Sequence, residues 1–137
     1  MTLDHLSLAV EDLDRAVAFY GAAFGCELLF RDTQDAAIAA LTGVPGLRCE
    51  LAQVRRPGDG AALELVAFDV PPGADGSAPV RVGHGHVAFQ VDALERSLAA
   101  VEGLGGRALG DVVTFATGRA VYVREPGGSV IELYEPA

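Results

Sequence analysis

The chain has 137 residues, the length of one ordinary domain, and half of them are hydrophobic; that excludes disorder and supplies apolar surface for a real core. Ten Lys and Arg against 19 Asp and Glu give a formal charge of −9 with no basic cluster, so neither nucleic acid nor an anionic membrane is an expected partner. No apolar run reaches bilayer length and no basic-then-apolar leader opens the sequence, so a cytoplasmic protein is expected.

Taken in chain order, Leu3 to Val10 alternates. Leu6, Leu8 and Val10 point to one side, His5, Ser7 and Ala9 to the other, which predicts a strand. Asp12 stands where a helix N-cap belongs, and Leu13, Ala16, Val17, Tyr20 and Phe24 recur at helical spacing on one apolar face. Gly25 is placed to end that helix. Strands follow over Glu27–Asp32, Arg48–Arg55 and Ala61–Phe68, the last two joined by the turn Pro57-Gly58-Asp59-Gly60. Between Asp32 and Arg48, the Ala-rich stretch Asp35–Leu41 reads as a short helix or a lid. Cys26 and Cys49 form neither a CxxC motif nor a disulfide framework, and read as small buried hydrophobes.

Val70 to Pro79 is the connector, rich in Pro and Gly. It divides a single domain into modules 1–70 and 80–137, with the linker at 71–79. After it the order repeats. Gly85–Val91 is a strand, and Ala93–Leu104 a helix with Leu94, Leu98 and Val101 inward. Further strands lie near Arg107–Val113, Arg119–Arg124 and Ser129–Glu135, and Glu125-Pro126-Gly127-Gly128 mirrors the earlier turn. Each half is strand–helix–strand–strand–strand. The pattern is therefore α+β, two repeated βαβββ modules, and the family resemblance given below implies that they form an open, barrel-like mixed sheet with helices on the outside.

The repeat is visible in the residues themselves. His5-Leu-Ser-Leu-Ala-Val-Glu-Asp-Leu-Asp-Arg15 aligns without a gap on His86-Val-Ala-Phe-Gln-Val-Asp-Ala-Leu-Glu-Arg96, at an offset of 81. Leu63-Glu64-Leu65 matches Ile131-Glu132-Leu133. A histidine and a glutamate thus recur at equivalent places, which points to one metal site built from both halves. Alternation puts all four on strand faces away from the core. His84 rivals His86, being two residues away and on the same side, but the repeat alignment favours His86.

These stretches resemble the vicinal oxygen chelate superfamily, the glyoxalase, bleomycin-resistance and dioxygenase group. The resemblance rests on His5–Val10, Leu13–Tyr20 and Phe24-Gly25 in the first half, and on Gly83–Asp92 and Arg124–Leu133 in the second. It implies metal ligands on the first and last strands of each module, which here fall on His5, Glu64, His86 and Glu132. Two neutral imidazoles and two carboxylates balance one divalent ion, with Zn, Ni, Co, Mn and Fe all admissible.

Four ligands on an octahedral ion leave two adjacent positions for the vicinal oxygens of a small oxygenated substrate. The resemblance therefore implies proton transfer of the glyoxalase I or methylmalonyl-CoA epimerase kind, an isomerase or lyase working through a metal-stabilised enolate, with Glu132 as base and Glu64 second. Ser7, Gln90, Tyr134 and Arg119 are candidate substrate contacts, and Phe115 a cap. Two alternatives stay open: an extradiol-type dioxygenase, and a metal-free protein that sequesters an antibiotic. Open sheet edges make a homodimer the expected assembly.

Overall fold

Asp12 turns the first strand into the first helix. Its backbone is extended (φ −133°, ψ 110°) and its carboxylate accepts the Arg15 N–H at 2.9 Å, satisfying one of the N–H groups a helix start leaves unpaired. The strand before it is β1 (His5–Ala9), and the helix is α1 (Leu13–Phe24). Gly25 ends α1 at φ 68°, a conformation in which a Cβ would be strained, and its N–H returns to the Gly21 carbonyl. The computed structural model describes residues 5–37, 39, 45–69 and 86–137, so the connector at 71–79 and His84 lie outside the described residues. The chain divides into two compact units, Met1–Asp75 and Gly76–Ala137.

In the first unit, β2 (Glu27–Gln34), β3 (Cys49–Arg55) and β4 (Ala62–Phe68) join β1 in one open sheet of order β1-β4-β3-β2. β1 runs parallel to β4, and the other pairs are antiparallel. α1 packs on β3 and β4, burying Leu13, Ala16, Phe19 and Tyr20 with Ala52, Val54 and Leu65. Phe19 is buried, while Val17 and Phe24 are only half-buried. Leu6 has the parity of the helix side, yet is 40% exposed, because β1 is an edge strand with a neighbour on one flank. In the Ala-rich stretch, Ala36, Ala37 and Ala39 are helical, with the Ala39 N–H on the Asp35 carbonyl.

The second unit repeats the plan. β5 (Val87–Gln90), α2 (Leu94–Gly103), β6 (Arg107–Ala108), β7 (Val113–Phe115), β8 (Gly118–Arg124) and β9 (Val130–Pro136) give an open sheet of order β5-β9-β8-β6, with β5 parallel to β9. Leu94 and Val101 of α2 are buried with Phe89, Val121, Val123, Ile131 and Leu133; Leu98 is half-buried. The strand expected over Arg107–Val113 is broken. β6 and β7 both pair with β8, but Ala108 faces Val123 and Val113 faces Ala120, so the register slips by two residues around Gly110-Asp111. The β8–β9 turn is organised by Glu125, whose buried carboxylate accepts the N–H groups of Gly127 and Ser129. No helix among the described residues is long and apolar enough to cross a membrane.

Candidate functional site

Strand register is what brings histidine and glutamate together in the first unit. β1 and β4 lie side by side with Ser7 opposite Glu64 and His5 opposite Ala62. Alternation turns His5, Ser7 and Glu64 to the face away from α1. There the His5 Nε2 stands 3.8 Å from the Glu64 Oε1. On the other flank of Glu64 lies Gln53 of β3, whose Nε2 donates to the Glu64 Oε2 at 3.3 Å.

The second unit has the same register. Ala88 sits opposite Glu132, and His86 precedes Ala88 by two residues, as His5 precedes Ser7. The His86 Nε2 and Glu132 Oε2 are 3.0 Å apart. Across the antiparallel ladder Tyr122 faces Glu132, and its ring lies 4.7 Å from the His86 imidazole, tilted by 46°.

Each unit therefore offers one imidazole nitrogen and one carboxylate oxygen from adjacent parallel strands. Two donors each about 2.1 Å from a common ion stand about 3.0 Å apart at a right angle and about 4.2 Å apart across it. The separations of 3.0 Å and 3.8 Å fall within that span, so each pair fits as two ligands of one cation. Mixed nitrogen and oxygen donors suit a first-row divalent ion. Among the described residues no three or more His, Cys, Asp or Glu form a group, so the donors come in twos.

The expected substrate contacts divide. Ser7 lies directly beside Glu64. Gln90 faces Tyr134 one step further along the β5–β9 pair, on the face of Glu132. The Tyr134 hydroxyl donates to the Thr117 carbonyl at 2.6 Å, tying this face to the β7–β8 turn. Phe115 shares the face and is 54% exposed.

Arg119 is not brought there. It stands an odd number of residues from Tyr122 and so on the opposite, helix-bearing face. Its guanidinium binds both oxygens of Glu95 and, through Nη2, the Glu135 Oε1 at 2.9 Å. The Arg119 hydrogen bond holds the Glu95 carboxyl below the usual carboxylate range. The Leu94 N–H, then Arg119, do the same for Glu135, and both acids raise Arg119. Arg119 thus fastens the start of α2 to β9 rather than facing the His86–Glu132 pair.

Gln53 and Tyr122 were not among the residues expected from the sequence. A signal for them existed: counting outward from the turns at Pro57–Gly60 and Pro126–Gly128 pairs Gln53 with Glu64 and Tyr122 with Glu132.

The sequence matches the profile of the Glyoxalase/Bleomycin resistance protein/Dioxygenase superfamily over residues 2–133. No curated protein matches the chain. Among solved structures, a glyoxalase family protein from Bacillus cereus superposes with a TM-score of 0.85 at 27% identity, over 99% of this chain and 94% of that one. A lactoylglutathione lyase from Agrobacterium tumefaciens (TM-score 0.59, 24% identity, 98% and 92% covered) shares the fold. So does TnmS3, an antibiotic binding protein from Streptomyces sp. CB03234 (TM-score 0.65, 24% identity, 100% and 97% covered).

Proposed function

The chain belongs to the Glyoxalase/Bleomycin resistance protein/Dioxygenase superfamily, and on that footing we propose that it is a metal-dependent isomerase or lyase acting by proton transfer on a small oxygenated substrate. His5, Glu64, His86 and Glu132 would supply the ligands of one divalent ion, Zn, Ni, Co, Mn or Fe. The observation that carries the reading is the repeated pair: a histidine two residues before the position opposite a glutamate, on parallel strands, in each unit. A single exposed His beside a Glu is ordinary surface. The same pair in the same register twice is a construction.

When bound, the ion would polarise a carbonyl and acidify the adjacent C–H. The chain's own part is proton movement and orientation. Glu132 takes the proton from the substrate carbon and returns it, with Glu64 as the second candidate. Gln90 and Tyr134, one step along the strands from Glu132, orient the remainder of the substrate, and Ser7 does so beside Glu64.

Proton transfer is preferred to extradiol dioxygenation on ligand number. Oxygen chemistry uses a three-ligand facial set with open positions, and Glu64 adds a fourth donor. The assembly we expect is a homodimer in the cytoplasm.

Metal analysis of protein purified without chelator tests the class. One bound divalent ion for every two His–Glu pairs is the expected result; protein that neither carries nor is stabilised by such an ion would favour a sequestering role instead. Glu132→Gln should keep the fold and abolish exchange of substrate C–H with solvent deuterium. Unchanged wash-in would reject Glu132 as the base.

A further inference from the structure

The residue across the antiparallel ladder from each glutamate differs between the units, although the register is the same. In the first unit it is Gln53, and in the second Tyr122. Each touches a different member of its pair. The Gln53 amide donates to the Glu64 Oε2 at 3.3 Å, so the other oxygen, Oε1, is the one nearer the His5 Nε2. The Tyr122 ring instead packs on the His86 imidazole.

We propose that Gln53 and Tyr122 are positioning residues, one aiming a carboxylate and the other an imidazole at the cation; this rests on the reading of the two pairs as metal ligands. A glutamate side chain turns about three bonds, and a donor on one oxygen leaves a single oxygen free to ligate. A ring packed at a tilt against an imidazole restricts its rotation about the Cβ–Cγ bond in the same way. Partners of this kind fix the orientation of ligands they never replace.

The two units are thereby unequal. Glu64 is restrained by a cross-strand amide, whereas Glu132 faces an aromatic ring at that position.

Calorimetric titration of the full chain with Mn2+ and with Ni2+ tests this, with the thermal midpoint of metal-free protein as the control. Gln53→Met removes the donor at nearly constant size and should weaken Mn2+ binding about tenfold with the metal-free midpoint unchanged. Gln53→Asn, one methylene short, should do the same, and decides the matter should Gln53→Met unfold. Tyr122→Phe should bind as the wild type does, while Tyr122→Leu should lose affinity. Gln53 variants that bind either cation within twofold of the wild type overturn the proposal and leave the metal reading standing. A wild type that binds neither of these cations, nor Zn2+, Co2+ or Fe2+ in the same titration, overturns both.

Discussion

The carboxylate of Glu135 caps the second helix by accepting the backbone N–H of Leu94 at 2.6 Å. The N-cap residue of that helix, Ala93, has no side chain that can accept a hydrogen bond, so the cap comes from the neighbouring strand. Arg119 joins Glu135 to Glu95 in the first turn of the same helix. In the first unit Asp12 does this work locally.

The arrangement fixes a direction of pH dependence. The Glu135 and Glu95 carboxyls are both held below their ordinary values in the folded chain, Glu135 first by the Leu94 N–H and Glu95 first by Arg119. Their contribution is therefore complete above the unfolded carboxylate value, about pH 4.3, and is lost as pH falls through the lower folded values. Glu135→Ala should lower the thermal midpoint at pH 7 by about 3 °C. Followed by circular dichroism, the gap to wild type should close below pH 4. A gap of constant size from pH 7 to pH 2 would refute the assignment.

Gly118 opens β8 at φ 151°, and a Cβ there would overlap the Glu135 carbonyl oxygen. The close approach lies where Gly118 pairs with Pro136, at the edge of the face bearing Tyr134. Gly118→Ala should therefore destabilise the chain by about 1–3 kcal/mol. Urea denaturation measures this directly, and a loss under about 0.5 kcal/mol, the scale of a neutral surface change, would show that the strand end shifts freely.

The two thiols are placed to be unreactive. Burial pushes Cys26 up to about 11, aided by the charge of Asp59 and opposed by Arg56; burial also raises Cys49. Thiolate is the reacting species, so both should label slowly in the native state at pH 8, with Cys26 accelerating only as pH approaches its raised value. Fast labelling of the native protein at neutral pH, as for an exposed cysteine, would contradict this.

What was legible in the sequence was whatever repeats locally. Asp12 and Gly25 mark the ends of α1 because capping uses residues within one turn. The strand face that carries His5, Glu64, His86 and Glu132 was legible because a period of two fixes the face, and the duplication repeats the register. Long-range partners were not. Glu135 reaches Leu94 across 41 residues, and no local pattern announces a cap delivered by another strand. The break between β6 and β7 was hidden because apolar residues continue through Leu109 and Val112 while the register slips. Arg119 was misjudged for a different reason: its odd spacing from Tyr122 was readable, but its two acidic partners lie on other elements.

The equivalence of the two histidines is the sharpest consequence of the register. Their side chains are similarly exposed, at 37% for His5 and 33% for His86, and each meets a glutamate from the neighbouring parallel strand. Substitution at such exposed positions costs little stability, within about 0.5 kcal/mol. His5→Ala and His86→Ala should therefore leave the metal-free midpoint nearly unchanged while each lowers the affinity for Mn2+ or Ni2+ by at least about tenfold. In the wild type, stripping the ion with a chelator should lower the midpoint, because a ligand bound only by the folded state stabilises it by mass action. That chelator effect should vanish in both variants. If only one histidine matters, the two pairs do not serve one ion, and the site belongs to a single unit.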